Sequence, residues 1–74
     1  MNEEQLVELL KSGYSVEFRF LNYDPTKDPI FNVSIKKFNE SEKRMEVLAK
    51  GYDKEGIKIA FDKAYKLFRD INEN

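Results

Sequence analysis

The sequence predicts an α+β domain with the element order α-β-β-β-α, a three-stranded antiparallel sheet and both helices on one face. Three patterns predict it. Residues 57–71 carry apolar side chains at helical spacing, three earlier segments alternate apolar and polar side chains, and a short leucine stripe precedes them. Since each strand shows one apolar and one polar face, we expect a two-layer domain covered on one side only.

The composition limits the class of protein. Its 74 residues suit one domain over 1–74, with residues 72–74 as a frayed tail. Thirteen basic against 14 acidic residues argue against a nucleic-acid binder that relies on net positive charge. Without cysteine there is no disulfide or thiolate site, and no apolar run approaches the ~18 residues of a membrane span. We therefore expect a soluble, intracellular, cytoplasmic protein with no membrane partner.

The first predicted helix is short. Asn2, followed three residues later by Gln5, forms a capping-box-like start. Leu6, Leu9 and Leu10 make its apolar stripe, and Gly13 is the expected left-handed stop. A helix of about ten residues is marginal alone, so this one must dock on the sheet.

Three strands follow, each with alternating side chains. The apolar side chains predicted to face the helices are Tyr14, Val16, Phe18 and Phe20, then Phe31, Val33 and Ile35, then Met45, Val47 and Ala49. Residues 22–29, with two prolines and two aspartates, are a turn region, and residues 39–42 are a polar hairpin loop.

The last helix is the longest element and the surface on which the others dock. After Ile57 its apolar stripe comprises Ala60, Phe61, Ala64, Leu67, Phe68 and Ile71. Asp53 is the predicted N-cap, and Gly51 allows a tight turn from the preceding strand. Ile59 and Tyr65 fall off the stripe. Together with Tyr52 they mark either a protein contact or ordinary exposed hydrophobic residues.

Three short stretches, in order and correctly spaced, carry a family resemblance. Residues 24–33, Asp-Pro-Thr-Lys-Asp-Pro-Ile-Phe-Asn-Val, resemble the loop Gly-Pro-x-His-x-Pro-x-Phe-x-Val of the double-stranded RNA-binding domain family. Residues 51–58 followed by Ala60 are similar to its Gly-x-Ser-Lys-Lys-x-Ala-Lys start of the last helix, and residues 6–9 to its Leu-x-Glu-Leu. Asp24 and Lys27 replace the family's loop Gly and His, Asp53 its Ser, and Glu55 its middle Lys.

The resemblance implies a binding surface for an RNA duplex. Such domains contact about 16 base pairs, mainly through phosphates and 2′-hydroxyls. The resemblance implies that Gln5 and Glu8 of the first helix contact one minor groove. Pro25 and Lys27 of the loop would contact the next minor groove, and Lys54 and Lys58 of the last helix would contact the phosphates between the two. Within residues 51–58 two lysines face two carboxylates, so weak binding is expected at physiological salt.

Each of these features has an alternative. Lys54 and Lys58 form either a phosphate clamp or a solvated helix face, the loop is a groove probe or a plain turn, and Glu8 faces RNA or water. The whole chain could instead be a diverged protein-interaction module without duplex affinity, or a homodimer through the edge of the third strand.

Catalytic and metal chemistry have little support. The aspartates of residues 22–29, Asp24 and Asp28, lack the Gly and terminal Glu of a calcium loop. The chain has no His or Cys and no nucleophile or phosphate-binding glycine motif. We expect a non-enzymatic domain with no catalytic residue, metal or cofactor.

Overall fold

The predicted order α-β-β-β-α is confirmed. The computed structural model describes residues 2–22 and 26–72. The elements are α1 (Glu3–Lys11), β1 (Ser15–Leu21), β2 (Ile30–Asn39), β3 (Arg44–Asp53) and α2 (Ile57–Asn72). The strands form one open antiparallel sheet in the order β1-β2-β3, and both helices pack on one side of it.

The ends of α1 follow the residues predicted for them. The Asn2 side chain accepts a hydrogen bond from the Glu4 backbone amide at 2.8 Å, which satisfies one of the free amides of the first turn. At the other end Gly13 has φ 91°. The backbone amides of Gly13 and Tyr14 donate to the carbonyls of Leu10 and Leu9 at 3.2 and 3.1 Å. These two bonds are the Schellman arrangement that ends a helix.

The sheet register fixes which side chains share a face. Val33 lies opposite Phe18 on one side and Gly51 on the other, and Ile35 lies between Val16 and Ala49. We call the side that these residues occupy the helix face. The opposite side, the open face, carries Glu17, Arg19, Asn32, Ser34, Lys36 and Lys50.

The core lies between the helix face and the two helices. Its buried apolar side chains are Leu9, Val33, Ile35, Ala49, Ala60, Phe61, Ala64 and Phe68. Phe61, Ile35 and Val33 are the largest fully buried ones. Tyr14 closes one end of this core, since its ring meets that of Phe68 edge-on with centroids 4.9 Å apart.

The predicted face of β3 is wrong in its first half. A bulge interrupts the register between Ile35 and Lys36: Ile35 pairs with Ala49, but Lys36 pairs with Val47. The extra residue, Leu48, packs against the core, and the strand alternation reverses at this point. Met45 and Val47 therefore lie on the open face, where both are exposed.

Three further expectations about burial need correction. Phe18 and Phe20 lie on the helix face but remain exposed, whereas α2 packs mainly on β2 and β3. Leu67 and Ile71 of α2 are exposed as well. Tyr65, expected off the stripe, instead packs against the core, with its ring stacked on Phe61 at 5.8 Å.

The last turn of α2 also differs from expectation. The helix includes Asn72, whose side-chain amide donates to the carbonyl of Phe68 at 2.8 Å. Asn72 is the first residue of the expected frayed tail, and the helix extends through it. Residues 73 and 74 lie outside the described part of the chain.

Candidate nucleic-acid interface

The antiparallel strand order brings the ends of the β1–β2 loop and the start of α2 to the same end of the sheet. Leu21 and Ile30, which bracket the loop, are opposite each other, and the next residue of β2, Phe31, pairs with Asp53 at the end of β3. Three residues separate Asp53 from the first residue of α2. Lys27 in the loop and Lys54 and Lys58 at the start of α2 are exposed at this end of the molecule.

Asp53 holds the connection between β3 and α2 together. Its Oδ2 accepts hydrogen bonds from the backbone amides of Glu55 at 2.7 Å and Gly56 at 3.2 Å. The helix itself begins one residue later, with the Ala60 amide donating to the Gly56 carbonyl at 3.2 Å. Asp53 therefore caps the preceding turn, and the predicted N-cap role belongs by position to Gly56.

A cation that the sequence reading missed completes this turn. Lys63, from the second turn of α2, reaches back to Asp53 Oδ1 and to the Tyr52 carbonyl, each at 3.1 Å. The Glu55 amide and then Lys63 hold the pKa of Asp53 below its ordinary value of 3.8. Asp53 is thus charged at neutral pH, and Lys63 is drawn toward it. The sequence signal was slight, since these two residues are ten positions apart.

The arrangement has a direct consequence for anion binding. Amides near a helix start, with the helix dipole behind them, favour a phosphate. Here the carboxylate of Asp53 already accepts from two of those amides. The cations exposed at this end are Lys54, Lys58 and, in the loop, Lys27. Lys58 has further interactions within the protein.

The two candidate residues of the first helix, Gln5 and Glu8, lie beside α2 rather than at the end of the sheet where α2 begins. Gln5 borders a shallow groove between the helices, together with Asp62, Tyr65, Lys66, Arg69 and Asp70. Glu8 borders the adjacent depression with Tyr65, Phe68 and Asn72. Both residues therefore sit beside the middle and end of α2. Since α2 rises about 1.5 Å per residue, the groove that Gln5 borders begins at Asp62, roughly 6 Å beyond Lys58, and ends at Asp70, roughly 18 Å beyond it. The structure thus separates Gln5 and Glu8 from Lys54 and Lys58.

Two expectations from the sequence concern the β1–β2 loop: Pro25 as a contact to RNA, and Asp24 with Asp28 as a poor match to a calcium loop. Pro25 and Asp24 lie outside the described residues. Asp28 is exposed, and within residues 2–22 and 26–72 no three His, Cys, Asp or Glu side chains are grouped so as to hold a metal ion.

A second surface was missed because of the β3 bulge. Phe38 pairs with Met45, and Val47 follows on the same side of the sheet. All three side chains are exposed on the open face, next to the free edge of β3. We call these three residues the open-face patch. The consecutive apolar residues 47–49 break strict alternation, and this break is the signal that could have revealed the patch.

Comparison with known proteins does not assign this chain to a family. In the described part of the chain no helix is long and apolar enough to cross a membrane. No family model matches the chain, and neither the curated proteins nor the solved structures contain a match.

Proposed function

We propose that this domain binds double-stranded RNA weakly and without sequence preference. The binding surface would consist of Gln5, Glu8, Pro25, Lys27, Lys54 and Lys58. The observation that supports the proposal is that the ends of the β1–β2 loop and the start of α2 lie at the same end of the sheet.

The separation along α2 is consistent with an extended contact. Gln5 and Glu8 border the middle and end of α2, whereas Lys54 and Lys58 are at its start. A duplex lying along this side would meet two separate groups of side chains. Shape recognition of A-form RNA requires such spaced contacts rather than one compact pocket.

The charges support weak rather than tight binding. At the α2 start, Lys54 and Lys58 stand against Glu55 and against Asp53, which already pairs with Lys63. With two or three phosphates neutralised, the logarithm of the affinity should fall with the logarithm of salt concentration with a slope of about −2 to −3. Binding is therefore expected mainly at low salt.

The test is an amide-shift titration with an RNA duplex of about 20 base pairs, at low and at physiological salt. Shifts are expected in residues 5–8, 24–28 and 53–58, and a DNA duplex of the same sequence should bind less well because it lacks the 2′-hydroxyl. The proposal fails if those residues do not shift at low salt.

Charge variants make the test specific. Lys54→Glu with Lys58→Glu should abolish binding without unfolding the domain. Lys43→Glu with Arg44→Glu makes the same change in net charge at the opposite end of the sheet, and it should leave binding almost intact. Equal losses in both double variants would reduce the effect to net charge alone. Conversely, Glu55→Lys removes an opposing carboxylate and should strengthen binding.

A protein-interaction role is the second candidate, and the open-face patch favours it. Exposed apolar side chains grouped beside a free strand edge are typical of sites where another chain adds to a sheet. In this alternative a second copy would pair along the edge of β3. Met45→Lys with Val47→Lys should then abolish self-association, and an unchanged sedimentation profile would exclude it.

A further inference from the structure

The other free edge of the sheet, β1, carries a distinct set of exposed side chains. Phe18 and Phe20 are 39% and 58% exposed although they share the helix face with Val33 and Phe31. Val16, at the other end of the strand, packs against the core. The outer backbone groups of an edge strand are available for pairing with another strand. Beyond its Val16 end, β1 therefore presents uncovered aromatic side chains beside a free edge.

The charges of β1 are arranged symmetrically about one residue. Glu17 and Arg19 flank Phe18, and both lie on the open face. If a second copy of β1 is aligned antiparallel about a two-fold axis through Phe18, Glu17 lies opposite the partner's Arg19. The same axis places Arg19 opposite the partner's Glu17. The strand is thus complementary in charge to itself.

Among axes through Glu17, Phe18 and Arg19, only the one through Phe18 satisfies both charge and burial. A shift that centres the axis on Glu17 sets two glutamates opposite each other, and a shift to Arg19 sets two arginines opposite each other; both are unfavourable. A shift by an odd number of residues would set the helix face of one copy against the open face of the other. Phe18 is the centre that avoids all of these conflicts.

The same register covers the exposed aromatic residues. Phe20 would lie opposite the partner's Val16, which packs against its own core. The exposed aromatic end of each strand would therefore meet the apolar, core-packed end of the other.

The existing contacts of the charged pair leave room for this pairing. Glu17 Oε2 accepts from Lys36 Nζ at 3.0 Å, while Arg19 Nε is 3.9 Å from Glu17 Oε1. The Glu17 and Arg19 side chains are still 44% and 58% exposed. Lys36 thus holds Glu17 in place. Among the described residues, the ion pair of Arg19 is the long 3.9 Å contact with Glu17, so its guanidinium is positioned to reach a second copy.

We propose that two copies of this chain form a two-fold symmetric dimer by antiparallel pairing of their β1 strands about Phe18, which joins the two sheets into one of six strands. The proposal is independent of RNA binding, because it uses none of the residues assigned to the duplex.

A charge swap tests it by sedimentation over a range of protein concentrations. Glu17→Arg and Arg19→Glu each convert two attractive cross-strand pairs into two repulsive ones. Each single variant should raise the dimer dissociation constant roughly tenfold or more. The double variant with both changes restores opposite charges and should return within about threefold of the original. It also controls for folding, because it contains both substitutions.

Variants of β3 provide the matched control. Arg44→Glu and Glu46→Arg, made singly on the other edge strand, should not change the dissociation constant. The proposal is overturned if the protein is monomeric at millimolar concentration, if the double variant fails to recover, or if the β3 variants are the ones that dissociate the dimer.

Cross-linking gives a second measurement that does not depend on affinity. The chain has no cysteine, so Phe18→Cys would carry a single thiol on the proposed axis, where cross-strand Cβ atoms lie about 4.5–5.5 Å apart. It should oxidise readily to a covalent dimer. Arg19→Cys, offset by two residues from its copy, and Met45→Cys on β3 should cross-link much less. Equal cross-linking at positions 18 and 45 would contradict the β1 pairing.

Discussion

Gly51→Ala is expected to destabilise the domain more than any other glycine substitution. Gly51 lies within β3, opposite Val33, where α2 crosses the strand. A Cβ at this position would be 2.1 Å from the Ala60 carbonyl oxygen, 2.6 Å from the Ala64 amide nitrogen and 3.1 Å from the Ala64 Cβ. The two shortest distances are to backbone atoms, which no rotamer change can relieve. The helix must therefore move away from the sheet by about 1 Å to restore ordinary contact distances.

The magnitude follows from what α2 contributes to the core. Four of the buried apolar side chains belong to it: Ala60, Phe61, Ala64 and Phe68. A gap of 0.5–1 Å loses a quarter to a half of the dispersion attraction across it, and overpacking alone costs about 1–3 kcal/mol. We expect a loss of about 3 kcal/mol or more in the free energy of unfolding. For a domain of this size that corresponds to a fall in Tm of roughly 12 °C or more.

Urea and thermal unfolding of the three glycine variants measure the effect. Among the residues that the structure describes, no atom lies within 4 Å of a Cβ added at Gly13 or Gly56. Gly13→Ala should lose about 1 kcal/mol because φ is 91° there, and Gly56→Ala should stay within about 1 kcal/mol of the original. If the free energy of unfolding of Gly51→Ala lies within about 1 kcal/mol of that of the unmodified protein, α2 does not approach β3 closely at Gly51.

Three further predictions concern the core, the first helix and acid stability. Phe61→Ala should cost about 3–5 kcal/mol and largely remove the cooperative unfolding transition, since Phe61 is fully buried. Asn2→Ala should cost about 1 kcal/mol and speed amide hydrogen exchange mainly in α1, because the cap to Glu4 is lost. The folded-state pKa of Asp53 is lowered, so its stabilisation is present above pH ~4 and is lost as pH falls through that lower pKa. Asp53→Asn should therefore show a shallower loss of stability in acid, followed by urea unfolding between about pH 5 and pH 2.

The order and class of the elements could be predicted because local patterns determine them. Alternation identified three strands, helical spacing identified α2, and Gly13 ended α1 at the expected residue. The faces of the strands were less predictable. The face on which Met45 and Val47 lie depends on the extra residue Leu48. A single inserted residue reverses the two faces on one side of it, while the alternation itself remains visible in the sequence.

The candidate site was predictable only in part, for reasons of long-range contact. The sequence identified Asp53 as a capping residue, but not that its carboxylate would accept from Glu55 and Gly56 and attract Lys63. The geometry of this turn depends on the distance between α2 and β3, and Gly51 sets that distance. The role of Gly51 can be recognised only when the residues of α2 that pack against it are known. An isolated glycine in a predicted strand, followed by Ala60 and Ala64 four residues apart, was the available signal.

The proposed duplex surface and the proposed β1 dimer impose separate requirements on the same sheet. In the proposed dimer the Leu21 end of one β1 lies beside the Ser15 end of the other, so the two β1–β2 loops are at opposite ends of the six-stranded sheet. The two copies of Lys54 and Lys58 are then also at opposite ends. One short duplex cannot occupy both sets in the same orientation, so dimerisation should leave the affinity per protomer unchanged. Loss of the dimer in Glu17→Arg with intact RNA binding, or the reverse in the Lys54 and Lys58 variant, would separate the two proposals experimentally.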